Sequence, residues 1–134
     1  MKGQVAFEYL MIFSIVLALI LILIMYSGEM TLRNQEDIRV SNAITAVNKI
    51  AEAANIVSTQ GKPSQITLFV YFPEEIQEIE FNEKTILMKV RIKSGINDIF
   101  AISKSNLQGY ISNSTGNKKI KVEAEGNYVN ITEG

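Results

Sequence analysis

The chain has 134 residues, and its 13 lysines and arginines nearly balance its 14 aspartates and glutamates, which gives a formal net charge of −1. This length fits one small domain plus a membrane-length segment, and the charge balance implies no basic surface for nucleic acid. Because the chain has no cysteine, histidine or tryptophan, a disulfide framework, a His/Cys metal site and a Ser-His-Asp triad are excluded.

A long apolar run begins directly after a single acidic residue near the N-terminus. Glu8 precedes the stretch from Tyr9 to Tyr26, which carries no charge. About 20 apolar residues in a helix are enough to cross a hydrocarbon core of about 30 Å. A secretory signal has its small-residue cleavage site after the apolar run, whereas here the small residue Gly3 comes before it. A cut at Gly3 would therefore leave the membrane-spanning helix on the mature chain.

The region from about residue 38 to residue 57 has the apolar period of an amphipathic helix with one buried stripe. The stripe consists of Val40, Ala43, Ile44, Val47, Ile50, Ala51, Ala54 and Val57. Polar residues such as Asn55 lie between its members and are assigned to the solvent side. No proline occurs before Pro63, so the two helices are expected to form one rod with its only weak point at Gly28. Gly61 and Pro63 are expected to end the rod.

After Gly61 the apolar period changes to two, which is the period of half-buried strands. The strands are predicted at 66–72, 76–81, 85–93, 97–103, 119–124 and 128–131. Turn-forming residues separate them, so a mostly antiparallel sheet is expected. In the fifth predicted strand Ile120 and Val122 point inward, and the run Lys118, Lys119 and Lys121 is assigned to solvent.

The predicted fold class is α+β. A long N-terminal helix, membrane-spanning in its first half and amphipathic in its second, is expected to pack on a C-terminal antiparallel β-sheet or β-sandwich, because such a sheet needs its apolar face covered. The predicted parts are a cleaved segment at 1–3, a hydrophobic assembly or transmembrane helix at 4–27, an amphipathic continuation at 28–60 and a β-rich head at 61–134.

The segment KGQVAFEYL resembles the class III signal sequence of archaeal type IV pilin precursors. In that family a prepilin peptidase cuts after Gly and before Gln, so the resemblance implies cleavage between Gly3 and Gln4. It also implies that Gln4 becomes the new N-terminus and that Glu8 and Tyr9 are the acidic residue and its aromatic neighbour used in assembly. The family often has Ser where this chain has Ala6. The long helix followed by a β-rich head extends the likeness over the whole chain.

The resemblance implies a structural subunit that is inserted in the cell membrane as a precursor. It would then polymerise through its N-terminal helix into an extracellular pilus on the cell surface, used for adhesion or attachment. The implied partners are other copies of the chain in a helical homopolymer, the prepilin peptidase, and the ATPase and membrane platform proteins of pilus assembly. Two alternatives are a minor pilin that primes or tips a filament or secretion-like system, and a single-pass membrane-anchored extracytoplasmic binding domain that does not polymerise. An archaeal flagellar-type filament protein fits the Gln4 to Tyr9 pattern less well.

A carboxylate at the start of a membrane helix costs free energy unless it has a partner. Cleavage at Gly3 would create a free amine on Gln4, and the amine of a neighbouring subunit can meet Glu8 once packed helices replace lipid. Such a buried pair sets the register of the helices more than it adds net stability. The alternative is that Glu8 faces lipid headgroups at the interface.

Two Asn-x-Ser/Thr sequons are candidate glycosylation sites, one at Asn113 and one at Asn130. Asn113 lies in a Ser-, Gly- and Asn-rich predicted loop, whereas Asn130 has the alternative role of an outward-facing strand residue. The resemblance implies a glycoprotein, because archaeal surface filaments of this kind commonly carry glycans.

Acidic residues cluster at Glu74-Glu75 and in the sequence QEIE at 77–80. No EF-hand spacing accompanies them, so they are interpreted as a solvated turn and strand face. No Gly-rich phosphate loop is present either. The sequence therefore predicts no enzymatic activity, no cofactor and no metal site.

Overall fold

One helix precedes seven strands in the computed structural model, which describes residues 1–134. The elements are α1 (Lys2–Gln60), β1 (Gln65–Phe72), β2 (Ile76–Asn82), β3 (Thr85–Ile92), β4 (Gly95–Ile102), β5 (Asn106–Tyr110), β6 (Gly116–Ala124) and β7 (Tyr128–Glu133). This order confirms the predicted α+β class with a long N-terminal helix and a C-terminal β region. The chain divides into two compact units, Met1–Gln35 and Glu36–Gly134.

Helix α1 is continuous through Gly28, where the sequence predicted a weak point. The helix ends at Gln60, as predicted. Gly61 has a φ of 76° and its N–H donates to the Val57 carbonyl at 2.9 Å, which is the left-handed C-terminal cap that glycine favours.

The predicted buried stripe is confirmed for most of its members. The buried residues of α1 are Ala43, Ala46, Val47, Ile50, Ala51, Ala53, Ala54 and Val57. Ile44 is instead 45% exposed, so its assignment to the stripe is wrong. The buried residues form an arc around the helix whose middle is marked by Ala43, Val47 and Ala54. At 100° per residue Ile44 lies just beyond one margin of that arc, whereas Ala46 and Ala53 lie inside it near the other margin.

Asn55 was assigned to the solvent side of α1, and this prediction is wrong. Its side-chain Oδ1 accepts hydrogen bonds from Ser103 Oγ at 3.0 Å and from the Lys104 N–H at 2.7 Å. The hydroxyls of Ser58 and Ser105 also hydrogen-bond to each other. These polar contacts fix the last turns of α1 to the turn between β4 and β5.

The strands form a four-stranded sheet in the order β1-β6-β7-β5 and a three-stranded sheet in the order β2-β3-β4. All neighbours are antiparallel except β5 and β7, which are parallel. The sequence did not predict β5, because this short strand has only one buried apolar side chain, Leu107. The Leu107 N–H donates to the Glu83 carbonyl at 2.5 Å, which links β5 to the turn between β2 and β3.

The core contains side chains from α1 and from both sheets. Its largest fully buried members are Phe72, Ile50, Ile86, Met88, Ile120 and Ile131. Burial of each such side chain stabilises the fold by about 1.5–3 kcal/mol. The predicted alternation is confirmed in β3, where Ile86, Met88 and Val90 are buried, and in β6.

Lys118 is buried, so its assignment to the solvent side of β6 is wrong. Only 4% of its side chain is exposed, and Nζ lies 5.0 Å from the centre of the Phe72 ring. The ammonium donates to the Ser112 carbonyl, to Ser112 Oγ and to Glu133 Oε2, the last at 3.4 Å. Because side chains alternate along a strand, Lys118 shares the inward face of Ile120. Its charge is therefore satisfied inside the head, where it anchors the loop before β6.

The Glu133 carboxylate gives this cluster a pH dependence. Hydrogen bonds from Ser112 Oγ and from the Ser112 N–H, together with the Lys118 ammonium, hold the pKa of Glu133 below its ordinary value of 4.5. Because the pKa of Glu133 is lower in the folded state, its ionised carboxylate stabilises the fold fully above pH 4.5. This stabilisation disappears as the pH falls through the folded-state pKa of Glu133.

We therefore expect Glu133→Gln to lower the thermal midpoint of the full chain in detergent at neutral pH, and to lower it much less in acid. Circular dichroism melts across that pH range test this expectation. Glu74→Gln is the control, because the Glu74 side chain is 72% exposed and exposed pairs contribute little. A midpoint difference that does not change with pH would mean that the carboxylate charge plays no part.

Candidate assembly helix and candidate glycan sites

Every side chain in the unit Met1–Gln35 is exposed. The residues from Lys2 onward are helical, and the large apolar side chains of this segment are exposed. This is the one helix of the chain that is long and apolar enough to cross a membrane. Its apolar surface is therefore free to contact lipid or other helices.

The one polar side chain between Tyr9 and Tyr26 is that of Ser14, and the helix itself satisfies it. Ser14 Oγ donates to the Leu10 carbonyl at 2.7 Å, so this hydroxyl needs no partner from water. Tyr9 and Tyr26 stand at the two ends of the run, 74% and 70% exposed, and about 26 Å apart at the helical rise of 1.5 Å per residue. Tyrosines at both ends are typical of a membrane helix, where they lie at headgroup level. Neither tyrosine was predicted from the sequence to have this role.

The candidate processing and assembly residues all lie in the first turns of α1. Gly3 and Gln4 are exposed at the predicted cut. Gln4 and Glu8 are four residues apart, so they lie on one face of the helix, and Tyr9 is adjacent to that face. Glu8 forms none of the ion pairs found within the chain. The Glu8 carboxylate therefore has no ion-pair partner in the uncleaved chain.

Four small residues of this unit lie on one side of the helix. Ala6, Ser14, Ala18 and Gly28 fall within an arc of about 120° at 100° per residue. Glu8 lies outside that arc. Small side chains allow membrane helices to approach each other closely, so this side suits contact with a second helix.

The two candidate glycan sites lie on different elements of the head. Asn113 is exposed in the loop between β5 and β6, and its Nδ2 donates to the Gln77 carbonyl at 3.3 Å. Asn130 is half-buried in β7, between Glu123 on β6 and Gln108 on β5. Asn113 is therefore the more accessible of the two side chains.

Five acidic residues of the head form ion pairs: Glu74, Glu78, Glu123, Glu125 and Glu133. Glu78 Oε2 lies 2.9 Å from Lys89 Nζ, and this contact lowers the pKa of Glu78 and raises the pKa of Lys89. Glu74 lies 4.0 Å from Arg39. No group of three or more His, Cys, Asp or Glu side chains is arranged to hold a metal ion.

Comparisons with protein-family models, with curated proteins and with solved structures find no match to this chain. The function of the chain is therefore inferred from its own residues and their geometry.

Proposed function

We propose that this chain is a structural subunit of an archaeal type IV-like pilus. The observation that carries the proposal is the segment KGQVAFEY at the start of α1, followed directly by an uncharged stretch of the same helix whose side chains are all exposed. A pilin needs both features, because the first is a processing site and the second is a surface that changes partners from lipid to protein.

The precursor would span the membrane through the apolar part of α1. A prepilin peptidase then cuts between Gly3 and Gln4, which removes Lys2 and leaves a positive amine on Gln4. The apolar helix stays on the mature chain, because the cut precedes it. The pilus assembly ATPase and its membrane platform proteins would move the processed subunit from the membrane into the filament.

Assembly replaces the lipid around α1 by the helices of other subunits. The Gln4 amine of one subunit meets the Glu8 carboxylate of its neighbour, and this pair sets the register between the helices. The contact joins two different surfaces, so it propagates along a helical filament instead of closing a ring. The heads then form the outer surface, with Asn113 and Asn130 available to carry glycans and the pilus available for adhesion.

Shearing of cells tests this proposal against a membrane-anchored binding domain. We expect the chain, expressed in an archaeal host with a prepilin peptidase, to be the main protein of filaments sheared from the surface. A few copies per filament would indicate a minor pilin that primes or tips the pilus. Gly3→Leu is the matched control, since a bulky residue at the cut should keep the chain in the membrane. Wild-type chain that remains wholly in the membrane pellet would contradict the proposal and favour the anchor.

A further inference from the structure

Two strands of the head have a free edge. β1 and β4 each stand at one end of a sheet, with a neighbour on one side only. The other two end strands, β2 and β5, lie beside each other. A free edge presents unpaired backbone groups, and natural proteins usually block it with charges, proline or a bulge. β1 has no charged residue and no proline, and β4 has one charge, Asp98.

The exposed apolar side chains of the strands concentrate on these two edges. The large ones are Phe69 and Tyr71 on β1, Ile96, Phe100 and Ile102 on β4, and Tyr110 on β5. Five of these six therefore lie on the two free edge strands. Phe69 is 70% exposed and Phe100 is 63% exposed, so most of each ring is in contact with solvent. An exposed apolar concentration of this kind marks an interaction surface.

The free backbone groups belong to the same residues as the exposed side chains. The Ser64 carbonyl accepts from the Ala124 N–H at 2.9 Å, so even-numbered residues of β1 bond to β6 and odd-numbered ones face the free edge. The Ser103 N–H donates to the Lys84 carbonyl at 2.7 Å, which leaves the even-numbered residues of β4 facing its free edge. Each edge thus offers hydrogen-bonding groups and apolar side chains together.

We propose that β1 of one copy of this chain pairs edge to edge with β4 of the next copy in the filament. The inference rests on the proposed function, and it adds a contact between heads to the contact between helices. A second copy is the fitting partner because the chain carries both edges, each on a strand of eight residues. With one charge between them, the two strands bring no like charges together. The edges differ from each other, so their pairing propagates as the filament requires.

Cysteine cross-linking tests the pairing, because the native chain has no cysteine. Phe69→Cys and Phe100→Cys subunits are co-expressed, and the sheared filaments are treated with a short bismaleimide cross-linker. We expect cross-linked dimers from the mixed filaments, none from filaments of either single variant, and a ladder of multimers from the double variant. Tyr71→Cys with Ile102→Cys repeats the test at a second position for parallel pairing, and Tyr71→Cys with Asp98→Cys does so for antiparallel pairing, in case one substitution disturbs the fold.

The control pair is Phe69→Cys with Gln108→Cys, since Gln108 is exposed on β5, at the opposite end of the sheet from β1. This pair should give no dimers. Filaments of normal yield without dimers from any of the test pairs would overturn the edge pairing and leave the proposed function intact. Dimers from Phe69→Cys alone would also overturn it, because they require β1 to meet β1. If the wild-type chain forms no filaments, the proposed function fails and the edge pairing fails with it.

Discussion

Replacement of Glu8 by Gln should leave processing at Gly3 intact and lower the yield of filaments at least about tenfold. The carboxylate has no ion-pair partner within the chain, and the proposal assigns it the Gln4 amine of a neighbouring subunit. Removal of one member of a buried ion pair costs about 3–5 kcal/mol, which is more than a hundredfold in the equilibrium constant of that contact. Mass spectrometry of the membrane fraction measures processing, and the amount of sheared filament measures assembly.

Glu29→Gln is the matched control for this change. Glu29 is exposed on the same helix but lies beyond the apolar run, so its neutralisation should change neither processing nor yield. If Glu8→Gln filaments form at the wild-type level, the carboxylate has no amine partner and faces lipid headgroups instead. A loss of processing in Glu8→Gln would assign this residue to recognition by the peptidase.

Gly109→Ala should destabilise the head by about 3–5 kcal/mol, a large part of the 5–15 kcal/mol that is typical for a protein. Gly109 has a φ of 147° and lies opposite Ile131 in the parallel pair of β5 and β7. A Cβ at this position would lie 1.9 Å from the Ile131 carbonyl oxygen. Because that oxygen belongs to the backbone, no side-chain rotation relieves the clash and the two strands must separate. Strained backbone at this φ adds about 1–3 kcal/mol.

Gly95→Ala separates the two causes of this effect. Gly95 has a φ of 141°, and a Cβ there would meet no atom within 4 Å. The control therefore carries backbone strain without a clash and should cost only about 1–3 kcal/mol. Urea unfolding of the full chain in detergent, with hydrogen exchange of β5 and β7, measures both variants. Equal destabilisation by the two substitutions would contradict the close approach of Gly109 to Ile131.

Local pattern was enough to predict the helix, its C-terminal cap and most strands. The strand β3 and the stripe of α1 have clear periods of two and about 3.6. The burial of Lys118 was also within reach, since Lys118 is in phase with Ile120 and Val122. The charge of the lysine was given more weight than its position, and the partners that satisfy it, Ser112 and Glu133, are brought close only by the fold.

Other features depend on contacts between distant parts of the chain. Strand β5 has little apolar pattern of its own and exists because it pairs with β7. Asn55 is half-buried because Ser103 and Lys104 supply donors to it, and neither is near it in sequence. The free edges of β1 and β4 follow from the order of strands in the sheets, which alternation along a single strand does not reveal.

The candidate processing site is a different case, because it is a local sequence. Gly3, Gln4, Glu8 and Tyr9 are close together along the chain, so the pattern could be found without any structure. What the structure adds is the exposure of the whole unit Met1–Gln35 and the absence of an internal partner for Glu8. Whether Asn113 and Asn130 carry glycans depends on enzymes of the host, and the fold decides only how accessible each side chain is.

The N-terminus of the mature protein tests the central claim most directly. The chain is expressed in an archaeal host that carries a prepilin peptidase, and intact-mass and peptide mass spectrometry identify its first residue. The account predicts a mature chain that begins at Gln4 and retains the apolar run, with any glycan on Asn113 or Asn130 visible in the same spectra. A chain that still begins at Met1, or one cut after the apolar run, would contradict it and indicate an anchored or secreted β domain.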